Sequence, residues 1–198
     1  MNSESSLRYP VKFGLHRREI FLSGEIYLEV VPDTQRPFIV HTANRTIKVL
    51  GPRFNVRNYP TDSLWSTTLV EGKIQIGHND TTYILKPGEQ YTASRQEGRP
   101  QISSVNPALY TSWISGKIIF HNERLEEIIR QLQRWYDFEV FYTDPQLKGL
   151  HFGGAINKYN SFQVVLKYLE RTAGLHFDIQ GRTVIVRGKP HSRYHLNY

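Results

Sequence analysis

Between Arg18 and Val56 apolar and polar residues alternate, and turn residues interrupt the alternation at short intervals. Ile26, Leu28 and Val30 fall on one face at period two while Glu25, Tyr27 and Glu29 fall on the other, the mark of a half-buried strand with its polar face in solvent. Val31-Pro32-Asp33 breaks this ladder because proline has no amide to donate. Phe38 and Val40 resume it, Ile47 and Val49 continue it, and Gly51-Pro52 breaks it again ahead of Phe54-Asn55-Val56. The pattern predicts short strands joined by tight turns.

The same spacing persists to about Ile102, as expected of a β-solenoid or a sandwich-like fold. Pro60-Thr61-Asp62-Ser63, Gly77-His78-Asn79-Asp80 and Lys86-Pro87-Gly88-Glu89 are the clearest turns. Thr68 to Ile76 reads as one strand bent at Gly72, with Thr82 to Leu85 as its hairpin partner. Breaker residues from Glu97-Gly98-Arg99-Pro100 to Asn106-Pro107 close this all-β domain, predicted over residues 1–107.

Beyond it the period changes. Leu125, Ile128, Ile129, Leu132 and Tyr136 share one helical stripe, with Asn122 as the expected N-cap. Glu123, Glu126 and Glu127 suit the helix start, Arg130 and Arg134 suit its end, and Glu126 with Arg130 forms an i, i+4 pair. Phe162, Val165, Leu166, Leu169 and Ala173 repeat the stripe 37 residues later, and Phe138 and Val140 map onto Leu175 and Phe177 at the same offset. Thr183 to Val186 returns across Gln180-Gly181 as a hairpin with Leu175 to Ile179. A small α/β domain of β-α-β-β-α-β-β order is expected over 112–188, followed by a flexible basic tail at 189–198.

Composition narrows the function. The 25 basic and 18 acidic residues give a net charge of +7, spread through both halves without a clustered basic face, so nucleic acid is not an expected partner. Without cysteine there is no disulfide, thiolate zinc site or thiol catalysis. No apolar run approaches the ~18 residues of a membrane span, and no apolar leader follows Met1.

No cofactor, metal or catalytic group is expected. The eight histidines are scattered, and His191 and His195, alone in having helical metal spacing, fall in the tail beside Pro190. Glu25 and Glu29 share a strand face but sit about 13 Å apart by strand rise, beyond the roughly 5 to 9.5 Å of glycosidase pairs. A solvated face is the expected setting of both. No serine lies in a nucleophile elbow, and no glycine-rich loop opens a helix as a phosphate cradle. Lys148-Gly149-Leu150-His151-Phe152 begins like an RNA-recognition phrase, then places Leu150 where a stacking aromatic belongs. Trp135 lies beside the apolar stripe and is expected to flank the core. An RNA-binding or carbohydrate-binding module is the alternative reading, the latter needing an aromatic-lined cleft.

Leu22-Ser23-Gly24-Glu25-Ile26-Tyr27-Leu28-Glu29-Val30, Pro37-Phe38-Ile39-Val40-His41-Thr42 and Val49-Leu50-Gly51 leading to Phe54-Asn55-Val56 together resemble the periplasmic domain of FecR-type anti-sigma regulators. Leu69-Val70-Glu71-Gly72 and Leu85-Lys86-Pro87-Gly88-Glu89 are similar to the same family. Lys117-Ile118-Ile119-Phe120-His121-Asn122, Arg134-Trp135-Tyr136 and Gly181-Arg182-Thr183-Val184-Ile185-Val186 resemble the short N-terminal domain shared by secretins and TonB-dependent transporters.

The resemblance implies a single-pass inner-membrane regulator whose periplasmic side meets the signalling domain of a TonB-dependent outer-membrane transporter. Proteolysis would then release a sigma factor held by a cytoplasmic domain. Leu7-Arg8-Tyr9-Pro10 resembles the middle of the family's β domain, so the chain is expected to begin inside it. The cytoplasmic domain, the transmembrane helix and the first strand or so would lie outside this sequence, leaving contact with the sigma factor and the membrane to those missing parts. Partner docking is expected at the last strand, Thr183, Val184, Ile185, Val186 and Arg187, whose second edge has no obvious neighbour.

Overall fold

A computed structural model of the chain describes residues 1–43, 45–78, 80–95 and 99–189. It divides into two units, Met1–Ile114 and Ser115–Tyr198. The turn at Asn79, the breaker run at Glu97-Gly98, and His191, His195 and the rest of the tail from Pro190 lie outside the described residues.

In the first unit ten strands join in one sheet: β1 (Ser6–Arg8), β2 (Arg18–Glu29), β3 (Phe38–His41), β4 (Thr46–Val49), β5 (Arg53–Asn58), β6 (Leu64–Glu71), β7 (Ile74–His78), β8 (Thr81–Leu85), β9 (Glu89–Ser94) and β10 (Gln101–Ser104). The strand path runs β10-β9-β6-β5-β2-β3-β4-β7-β8, with β1 added to β2. All pairs except β2–β3 are antiparallel, which is the pairing of a sandwich-like sheet and not of stacked parallel solenoid coils. The alternating residues behave as the pattern requires: Ile26, Val40, Ile47, Val49, Phe54 and Val56 enter a core with Trp65, Leu69, Ile74, Ile76, Leu85 and Tyr91. Each large side chain so buried contributes about 1.5–3 kcal/mol. A short helix, α1 (Pro107–Thr111), capped by Asn106, closes the sheet-bearing stretch.

Gly72 does not bend a single strand. It separates β6 from β7, which lie far apart in the strand order. Its φ of +89° is the left-handed region that favours glycine, and a Cβ there would sit 2.3 Å from the Gly51 Cα. The two glycines let the β4–β5 and β6–β7 connections cross back to back, fastened by Leu50 N–H donating to the Lys73 carbonyl at 2.9 Å.

In the second unit the order is β11 (Lys117–Arg124), α2 (Leu125–Tyr136), β12 (Glu139–Tyr142), a 3-10 turn (Pro145–Gly149), β13 (His151–Asn157), α3 (Phe162–Ala173), β14 (Leu175–Gln180) and β15 (Thr183–Gly188). The two 12-residue helices begin 37 residues apart. β11 pairs with β13 in a two-stranded sheet, and β12-β15-β14 form a three-stranded one. Leu125, Ile128, Ile129 and Leu132 of α2 pack with Val165, Leu166 and Leu169 of α3 into this unit's core, and Trp135 flanks it as a partly buried side chain.

Asn122 is not the cap of α2. It has φ +53° inside an irregularity of β11 between Phe120 and Glu123, and Arg124 occupies the cap position without a side-chain bond. Pairing with β13 carries strand geometry on to Arg124, so the helix starts later and Glu123 stays in the strand. Glu126 and Glu127 remain in the first turn, where both bond Arg130, at 2.6 and 2.8 Å.

Candidate functional site

Thr183–Arg187 does not form an open edge. β15 is the central strand of its sheet, antiparallel to β14 on one side and parallel to β12 on the other, in register Glu139 with Thr183 through Tyr142 with Val186. The hairpin with β14 follows from local turn chemistry, but the pairing with β12 joins segments some forty residues apart and has no local signal. Val184 and Val186 point into the core, while Thr183, Ile185 and Arg187 lie on the opposite face.

The free edges of this sheet therefore belong to β12 and β14, and they are unequal. Lys189 N–H donates to the Gly174 carbonyl, so by antiparallel alternation His176, Asp178 and Gln180 bond β15 while Leu175, Phe177 and Ile179 face outward. The outward Phe177 N–H is already taken by the Glu170 carboxylate of α3 at 2.7 Å, and the same Glu170 oxygen lies 2.9 Å from His176 Nδ1. A charged side chain lodged against the edge is a recognised device against strand addition.

The edge of β12 has no such plug. Glu139 N–H donates to the Arg182 carbonyl at 2.8 Å and Thr143 N–H to Val186 at 3.0 Å, so Glu139, Phe141 and Thr143 are the positions bonded to β15. Val140 and Tyr142 turn their backbone groups the other way, and β12 has no second strand neighbour among the described residues.

The side chains of β12 split by face. Val140 and Tyr142 pack against the core, and burial pushes the Tyr142 phenol well above its usual pKa. Phe141 is 59% exposed on the outer face, directly across from Ile185. Around this pair the outer face is charged: Arg187 approaches Asp178 at 3.8 Å and Arg182 bonds Asp137 at 2.6 Å. An apolar residue at the outward register of Phe138-Glu139-Val140-Phe141-Tyr142 was the signal available in the sequence.

Other candidate sites resolve into structure. Glu25 is not solvated: it is 8% exposed, because the N-terminal segment folds over it. Asn2 Nδ2 donates to Glu25 Oε2 at 2.8 Å and Asn55 Nδ2 to Oε1 at 3.0 Å, whereas Glu29 faces Arg53 at the surface. Phe152 is buried and Leu150 packs on the same core, so the RNA-like phrase supplies no stacking platform. A cavity of about 530 Å³ beside β1 and β2 is lined by Arg8, Phe21, His41, Asn58 and Arg95, with no carboxylate among the described residues of its wall. The Phe21 ring there is already stacked with His41 at 4.9 Å and carries the Arg8 guanidinium at 4.3 Å, so it is not a bare sugar platform. No group of His, Asp and Glu that could hold a metal occurs among the described residues. No helix among them is long and apolar enough to cross a membrane.

Comparisons with known proteins agree on one family. The model described as FecR protein matches residues 1–75, and that described as FecR, C-terminal matches residues 117–186. No curated protein matches the chain. Two crystal structures of a candidate anti-sigma factor from Parabacteroides distasonis ATCC 8503 are similar to it, with TM-scores of 0.87 and 0.86 and 25% sequence identity. Each covers 96% of this chain, which in turn spans 89% and 88% of theirs.

Proposed function

Because the chain belongs to the FecR family of anti-sigma factors, we propose that it is the periplasmic part of a regulator that reads the state of a TonB-dependent outer-membrane transporter and thereby controls an extracytoplasmic-function sigma factor. The observation that carries this reading is that both units fall within the family, the first through FecR and the second through its C-terminal model, and that a candidate anti-sigma factor shares the fold across both.

The chemistry of the fold suits a relay without catalysis. Two carboxylates, Glu25 and Glu170, are tied up in hydrogen-bond nodes, and the exposed Phe141 lies beside a strand edge. The second unit, with its paired helices against small sheets, is read as the short secretin/TonB N-terminal type of domain and as the part that meets the transporter's signalling domain.

The test is direct binding. The chain, mixed with the purified signalling domain of a cognate TonB-dependent transporter, should form a stable complex in a titration, and deleting that domain from the transporter should abolish induction of a sigma-dependent reporter. No complex, together with unchanged induction, would overturn the proposal.

A further inference from the structure

We propose that the free edge of β12 is where the partner docks, by adding an extended strand whose backbone pairs with Val140 and Tyr142 and whose apolar side chain lies beside Phe141. This rests on the signalling reading above and names the surface it uses.

Three observations select this edge. The outward N–H and C=O groups of Val140 and Tyr142 are complementary to another extended chain, since only a strand presents donors and acceptors at matching intervals. The opposite edge of the same sheet is blocked at its middle by Glu170 on the Phe177 amide. The outer face next to β12 carries the exposed Phe141 beside the half-buried Ile185, so a fourth strand would add its own outward residue to an apolar row. The edges of the two-stranded sheet lack that row: β11 is interrupted at His121-Asn122, and the exposed residues of β13 are His151, Gly153, Ala155 and Asn157.

Charge sets the occupant further. Asp137 and Glu139 are exposed at the start of β12, and Glu139 makes no ion pair among the described residues. At the other end the Lys148 ammonium lies over the Tyr142 ring at 5.4 Å. The edge therefore presents a carboxylate without an ion pair where it begins. It fits a partner strand with a basic residue opposite Glu139 and an apolar one beside Phe141.

The experiment uses the full chain and the transporter's signalling domain as the probe. Amide hydrogen exchange should slow at least tenfold at Val140 and Tyr142 on binding, with the Asp178 amide, already bonded to β15, unchanged. Val140→Pro removes an outward N–H that β15 does not use, and proline is tolerated at such edge positions, so affinity should fall at least tenfold while the melting curve is kept. Proline at Ile185 would instead break the β14–β15 ladder and report folding.

Should Val140→Pro unfold the second unit, Phe141→Lys decides, because its side chain is exposed; the same tenfold loss is expected. Binding with unprotected Val140 and Tyr142 amides overturns the edge and leaves the signalling reading standing. No binding at all overturns the signalling reading and this inference with it. Protection of the same amides by self-association, without the probe, overturns the partner as occupant in favour of a second copy.

Discussion

Asn55 stands between Glu25 and Trp113: its amide nitrogen donates to the buried Glu25 carboxylate at 3.0 Å, and its side-chain oxygen accepts from Trp113 Nε1 at 3.2 Å. With Asn2 on the other carboxylate oxygen, one node ties the start of the chain, β2, β5 and the segment after α1 together. Glu25→Ala takes the carboxylate acceptor from the buried Asn55 amide, a loss of about 1–3 kcal/mol. A clear fall in the melting temperature of the first unit is expected, and an unchanged melt would show the node to be dispensable.

Gly72→Ala combines a left-handed backbone, costing of order 1–3 kcal/mol for other residues, with a Cβ driven into Gly51. Gly77→Ala is the matched control, because a Cβ there meets nothing closer than the Thr46 carbonyl at 3.7 Å. Denaturant titrations should show a large loss for the first substitution and little change for the second; equal losses would mean that the glycine crossing does not matter.

The plug on β14 makes a prediction of its own. Glu170→Ala should free the Phe177 amide, speeding its hydrogen exchange, and should raise concentration-dependent self-association in sedimentation, since an unpaired edge is exposed. Glu170→Gln keeps an acceptor and should stay near the parent; identical behaviour of the two variants would count against a blocking role.

The pH response has a definite sign at His78. Burial, assisted by the positive Arg45, holds its imidazole below the ordinary value, and its Nδ1 lies 3.1 Å from the Tyr91 hydroxyl. The folded state thus disfavours the charged ring. His78 costs nothing above the unfolded pKa of about 6.5, and its contribution is lost as pH falls below that toward the folded value. Melts at about pH 7.5 and about pH 5.5 should differ, and His78→Gln should shrink the difference; an undiminished difference would assign it to other groups.

Much of this was written locally. Period-two alternation marked β2 to β5 and the residues that fill the first core, and the stripe from Leu125 to Leu132 marked α2 and its buried face, because both signals depend only on neighbours a few residues away. The Gln180-Gly181 turn announced the β14–β15 hairpin for the same reason. The start of α2 was misplaced at Asn122 because strand pairing with β13, a distant segment, overrode a good capping residue.

What the sequence by itself determined is thus the strands of β2 to β5, the two long helices, the Gln180-Gly181 turn, most of the residues of the two cores and the family. What only the tertiary structure decided is which strand edges remain open. Glu25 passed from a predicted solvated face to a buried node because the N-terminal segment covers it, and Thr183–Arg187 passed from edge to centre because β12 pairs with it in parallel. Edges and burial are properties of what arrives from far along the chain, and the hydrogen bonds that satisfy a strand's second side leave no trace in its own residues.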